Sequence, residues 1–198
     1  MAKRREFRRR PADRPYRKLF LISAEGDKTE PFYFSLFNNQ KTTIQVECLK
    51  GGTRSSPAAV LKRMKKRIKD KGIRSDDEAW LVVDKDQWTD EQLEELYAWA
   101  KEPNNRGFAL SNPKFEFWLL LHFEDGKNII SRNCMDRLRQ HLPEYDKGFD
   151  ARKITQPMIA DAVRRAKQRD NPLCANWPQT TGTTVYRLVE KLISILPD

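Results

Sequence analysis

Two aspartates one residue apart, Asp84 and Asp86, close the apolar run Ala79-Trp80-Leu81-Val82-Val83. The run is short, rich in β-branched residues and apolar at successive positions. It therefore reads as a buried strand of a parallel sheet. The change to Asp marks its carboxyl end, the edge at which open α/β sheets bind ligands. Residues two apart on an extended strand share a side, so the spacing predicts two carboxylates aimed at one spot. Such a pair repels itself unless a cation stands between its members, and Mg²⁺, a hard cation that takes few protein oxygens, suits it. The same residues also describe a solvated strand end, because Asp is common after strands.

A second acidic strand end lies upstream. Tyr16–Ala24 is strand-like and ends at Glu25-Gly26, with Gly26 suited to a tight turn or the close approach of a ligand. Asp27-Lys28-Thr29-Glu30-Pro31 then opens a helix, with Thr29 as its cap and Pro31 in its first turn. If the two strands are neighbours, Glu25, Asp84 and Asp86 converge.

Glu25 after one strand and Asp84-x-Asp86 after a later one resemble the Toprim pattern of topoisomerases, primases and OLD-type nucleases. Two longer segments, Ala24-Glu25-Gly26-Asp27-Lys28-Thr29-Glu30-Pro31-Phe32-Tyr33-Phe34 and Ser111-Asn112-Pro113-Lys114-Phe115-Glu116-Phe117-Trp118-Leu119-Leu120-Leu121-His122-Phe123, resemble the RloB family, found beside restriction and phage-defence loci. The resemblance runs from about Lys18 to the C-terminus. It implies a Toprim-like, Rossmann-like fold, supplies the strand order, and implies a separately encoded ABC/AAA-type ATPase as partner.

At 198 residues and 38% hydrophobic content, with ten Phe and five Trp, the chain suits one domain with an appendage. No apolar run approaches a membrane span, and no secretory signal follows the basic start. Cys48, Cys134 and Cys174 have no metal-ligand spacing, which points to a reducing cytoplasm and no structural disulfides. The net charge of +10 favours a polyanionic partner, nucleic acid first. It is concentrated in the first eighteen residues, nine of which are Lys or Arg, and between Lys62 and Arg74.

In chain order, residues 1–15 read as a disordered basic arm, 16–112 as the Toprim-like core and 113–198 as a helical extension packed on it. The core is expected to be α/β, a parallel four-stranded sheet flanked by helices, because strand and helix patterns alternate four times. Strands are expected at 16–24, 42–49, 78–84 and 107–110. Helix 30–39 turns Phe32, Tyr33, Leu36 and Phe37 inward; helix 56–71 buries Val60, Leu61, Met64 and Ile68 under a basic exterior; Thr89–Gln92 has the form of a capping box. The Gly51-Gly52-Thr53 stretch reads as a simple loop. Helix 114–123 is apolar nearly all round and so buried. Its polar residues are Glu116, which is brought near the acidic strand ends, and His122, read as a core residue. Residues 131–141, 155–169 and 182–196 give three more helices.

The chemistry this implies is phosphodiester hydrolysis with Mg²⁺, or Mn²⁺ in its place. Asp84 and Asp86 hold the metal, and Glu25 completes the site as second-metal ligand or general acid/base. Glu30 and Glu116 are further ligand candidates, and Lys28 and Lys85 stabilise the phosphate. Arg63, Lys66, Arg67, Lys69 and Lys85 are expected to contact the nucleic-acid backbone. The target, DNA or an RNA such as tRNA, is left open, as is self-association. The alternatives are a binding module or an ATPase-interacting subunit with an inactive Toprim site, and a different Toprim chemistry such as nucleotidyl transfer, for which no primase-type motif is visible.

Overall fold

The structure, a computed structural model, describes residues 17–38, 43–49, 51, 56–86, 88–146, 149–150 and 153–195. The basic arm at 1–15 lies outside the described residues, as do Gly52 and Thr53. Five strands, β1 (Lys18–Ala24), β2 (Ile44–Leu49), β3 (Glu78–Asp84), β4 (Arg106–Asn112) and β5 (Gly182–Thr183), form one sheet in the order β2-β1-β3-β4-β5. The helices are α1 (Thr29–Ser35), α2 (Pro57–Lys71), α3 (Asp90–Lys101), α4 (Phe115–Leu120), α5 (Ser131–His141), α6 (Gln156–Arg169) and α7 (Val185–Ile193).

Side-chain parity along the strands builds two cores. Phe20, Ile22, Ala24, Trp80, Val82 and Ala109 face one side, where Tyr33 and Phe34 of α1 and the apolar residues of α4 to α7 cover them. Leu21, Ala79, Leu81, Val83, Phe108 and Leu110 face the other, under Val60, Leu61 and Met64 of α2 and Leu93 and Leu96 of α3. Burial on both faces is why these strands are apolar at successive positions. Caps fix the second layer: Ser56 caps α2, with Pro57 at its first position, and Thr89 and Gln92 form a capping box at the start of α3.

The four expected strands pair in parallel, but the sheet is mixed. β5 runs antiparallel to β4, pairing Ser111 with Thr183 and Asn112 with Gly182. Thr184 extends the join, since its amide donates to the Leu110 carbonyl at 2.8 Å and its hydroxyl accepts from the Leu110 amide at 2.9 Å. The helix expected at 182–196 therefore starts only at Val185 and ends at Ile193. A two-residue strand is too short to show a period of two. The segment after Asn112 thus both covers one face and lends the sheet a strand.

Helix α1 differs from expectation in two ways. Phe32 is half exposed while Phe34 is fully buried, so the inward aromatic face is Tyr33, Phe34 and Phe37. Thr29 is not the cap: it is the first helical residue, Lys28 stands at the cap without a side-chain bond, and the Thr29 hydroxyl bonds Tyr145. His122 is a core residue, as expected. It lies 3.1 Å from the Tyr33 hydroxyl and 3.1 Å from the Trp118 and Leu119 carbonyls, and burial pushes its pKa down to about 4. The three cysteines are free. Among the described residues no helix is long and apolar enough to cross a membrane.

Gly107 of β4 lies against the Trp80 ring, and a Cβ there would stand 2.5 Å from its carbons. Gly107→Ala forces the indole to move, an overpacking cost of about 1–3 kcal/mol. The expected result is a fall in Tm of roughly 2–10 °C by differential scanning calorimetry, largely relieved in Gly107→Ala/Trp80→Phe.

Candidate functional site

The strand ends are staggered. In the β1–β3 register Ala24 stands beside Val82, two residues short of Asp84. The Glu25 amide carries the ladder on, donating to the Val82 carbonyl at 3.0 Å. Its carboxylate then accepts from the Asp84 amide at 3.3 Å and from the Trp88 indole N–H at 3.1 and 3.3 Å. Burial pushes the Glu25 pKa up, and the Asp86 charge adds to the rise, against the lowering pull of those donors and of Arg63.

Asp84 has the parity of Trp80 and Val82, so it faces the side of the sheet covered by α1 and α4. Its Oδ1 is sealed from solvent and has no hydrogen-bond partner. Burial raises its pKa well above the usual carboxylate range, and Glu30, Glu116 and Glu25 raise it further; the Phe115 amide pulls the other way.

Glu30 and Glu116 come from the first turns of α1 and α4, where the helix dipole favours a carboxylate. Glu30 is buried and accepts from the Gly26 amide at 2.9 Å. A Cβ at residue 26 would stand 2.3 Å from Glu30 Oε2, so only glycine lets the backbone approach this closely. Burial first, then the charges of Glu116 and Glu25, push the Glu30 pKa up to about 7. The buried Tyr145 hydroxyl donates to Glu116 Oε1 at 3.0 Å, leaving Thr29, 3.1 Å away, to donate to Tyr145. Glu25, Glu30, Asp84 and Glu116 line one cleft of about 210 Å³, with Lys28 at its rim.

Other expected site residues stand apart. The strand ends at Asp84, and Asp86 occupies a turn with φ of 26°, its side chain exposed and its amide bonded to the Pro113 carbonyl at 2.9 Å. The two aspartates therefore do not share a strand face, although the Asp86 charge still acts on Glu25. Lys85 turns its ammonium to Asp90 and to the Trp88 carbonyl. Arg63 donates to the Ala24 carbonyl beneath Glu25. Arg67 makes a two-pronged pair with Glu47, both contacts 2.8 Å, and Lys66 and Lys69 are exposed on α2. Tyr145 and Trp88 carry no sequence signal for the site: Tyr145 sits in an aperiodic loop far along the chain, and Trp88 belongs to no motif after the aspartates.

The donor chemistry fits a hard divalent cation, all oxygen with Asp84 Oδ1 lacking any partner. Among the described residues, however, no three acidic, histidine or cysteine side chains are grouped closely enough to hold a metal ion as they stand. To hold one, Glu30 and Glu116 would have to turn from the Gly26 amide and the Tyr145 hydroxyl toward Asp84.

The raised acids set a pH dependence. Glu30 binds its proton more tightly folded (about 7) than unfolded (about 4.5). Its contribution to stability is fully present below pH 4.5 and is lost as pH rises through about 7. In EDTA, Tm is expected to fall between pH 5 and 7.5, by the equivalent of about 2–3 kcal/mol. Glu30→Gln, which keeps the acceptor for the Gly26 amide, is expected to flatten that fall.

Neither a comparison with curated proteins nor one with solved structures returns a match. The model of the family described as RloB-like protein matches residues 20–192. That span runs from within β1 to within α7 and takes in every residue of the acidic cleft, and by it this chain belongs to the RloB-like family.

Proposed function

We propose that this protein is a divalent-metal-dependent nuclease that hydrolyses phosphodiester bonds of DNA or RNA in the acidic cleft. The observation that carries the reading is Asp84, half-buried among three glutamates with one oxygen sealed from solvent and unpartnered. Clustered carboxylates of this kind are costly unless a cation joins them. Asp84, Glu30 and Glu116 are the residues that would hold it. Mg²⁺ or Mn²⁺ bound there supplies Lewis acidity toward a phosphoryl oxygen and acidifies a bound water.

The chain's own groups do the rest. Glu25, held by the Trp88 indole and with its pKa raised by burial, is placed to take and return a proton. Lys28, exposed at the rim, faces the phosphate charge. Tyr145 fixes the rotamer of Glu116. Acidic residues after β1 and β3, with the order β2-β1-β3-β4, support a Toprim-like arrangement. The biological role in this reading is a cytoplasmic effector of anti-phage defence, causing abortive infection by damage to nucleic acid under control of a separate ABC/AAA-type ATPase; it rests on the resemblance to RloB proteins beside defence loci.

The test is cleavage of a panel of labelled DNAs and RNAs, tRNA included, with Mg²⁺, Mn²⁺ or EDTA, with and without a neighbouring ATPase. Metal-dependent cleavage is expected, reduced at least about 100-fold in Asp84→Asn and about 10-fold in Tyr145→Phe. Binding without cleavage under every condition, unchanged in Asp84→Asn, would instead make this chain a nucleic-acid-binding or ATPase-docking subunit with an inactive site.

A further inference from the structure

Two cations near the acidic cleft are turned inward: Arg63 to a carbonyl and Lys85 to Asp90. A cleft lined by four carboxylates and rimmed by Lys28 cannot by itself attract a polyanion. The positive surface lies elsewhere. At the opposite, N-terminal edge of the sheet, a groove of about 380 Å³ is lined by Arg17, Arg67, Lys71 and Arg74, together with Glu47 and Asp77.

Its two carboxylates have fixed partners within the fold. Glu47 takes both prongs of Arg67, and Asp77 accepts the Leu19 and Arg74 amides, each at 2.8 Å. Four cations against two carboxylates leave the groove a net charge of +2. The negative end of the α2 dipole points here, and Lys69 and Lys71 in the last turn offset it.

Helix α2 joins the two edges. Near its start the Val60 carbonyl accepts from Ser23 and Arg63 reaches Ala24, both at the acidic end of β1; at its far end Lys71 lines the groove. Its fifteen residues span about 22 Å. Lys62, Lys65, Lys66 and Lys69 are exposed along it, so its outer surface is a row of cations from one edge to the other. The first sixteen residues, seven of them Lys or Arg, join the described fold at Arg17, in the groove itself.

We propose that this groove is a second, metal-independent site for the phosphodiester backbone of nucleic acid, which anchors the strand while α2 leads it to the acidic cleft. A nucleic-acid backbone carries its charge evenly along that same ~20 Å, which matches the row of cations on α2 and the net +2 of the groove. The proposal deepens the nuclease reading by saying where its substrate is held. Binding at the groove needs neither metal nor cleavage, so the two can fail separately.

The experiment is fluorescence anisotropy of a labelled thirty-nucleotide oligo(dT) and of a labelled tRNA, in EDTA over a salt series. Wild type is compared with Lys71→Gln/Arg74→Gln and with the charge-matched Lys127→Gln/Arg132→Gln, all checked for folding by circular dichroism and Tm. For oligo(dT) the groove variant is expected to lower the log–log salt slope by about 1.4 and to weaken binding about 25-fold at 0.1 M salt, while the control stays within about twofold of wild type. Equal weakening in both variants would overturn the proposal, leaving only net charge. So would unchanged nucleic-acid binding in the groove variant alongside lost binding of a labelled polyglutamate peptide, which would assign the groove to an acidic protein.

Discussion

Asp84 is half-buried, with one oxygen sealed from water and unpartnered, and three glutamates press their charge on it. Like charges about 4 Å apart repel by about 4 kcal/mol at an effective dielectric of about 20, so an arrangement like this persists only if the fold holds each carboxylate from behind. Much of the surrounding structure does so. The Gly26 amide grips Glu30, the Phe115 amide supports Asp84, the Trp88 indole and the Asp84 amide hold Glu25, and the Thr29–Tyr145 pair pins Glu116. Two of the four acids also sit in first turns of helices. Each support positions a charge while leaving the repulsion within the cleft in place, and a cation there would relieve it.

The sheet decides which acid meets which helix. Strand parity sends Asp84 to the face of α1 and α4, where Glu30 and Glu116 wait. Glu25, one residue past the end of β1, is held by Trp88 and sits beside Arg63 of α2. The cleft is therefore asymmetric, with a buried carboxylate group on one side and an indole-held glutamate on the other. In the proposed mechanism that asymmetry separates the roles of holding a cation and moving a proton. The same sheet separates the acidic edge from the basic one, with α2 running between them.

Much of this was legible in the sequence because it depends on local pattern. The apolar runs ending in Glu25 and Asp84 gave the strands and their carboxyl ends, and the Thr89–Gln92 spacing gave the α3 cap. What was not legible depends on tertiary contact. Thr29 looks like a cap until a tyrosine more than a hundred residues away takes its hydroxyl. Phe32 and Phe34 have equal claims on the core until α4 arrives against one side of α1. Asp84 and Asp86 share a face only while the strand lasts, and it ends at Asp84. β5 is two residues long and carries no periodicity at all. The cations of α2 and the Asp84 loop could be counted from sequence, but their partners could not, and the partners decide which of them can reach a phosphate.

The most direct test of the central claim is Mn²⁺ binding followed by electron paramagnetic resonance at pH 7.5, on the full chain without nucleic acid. If the cleft carboxylates form a cation site, wild type quenches the free Mn²⁺ signal saturably, Mg²⁺ competes, and Asp84→Asn loses the binding while remaining folded. Equal Mn²⁺ binding by wild type and Asp84→Asn, or none by wild type, would contradict the account and leave the buried carboxylate without the partner here assigned to it.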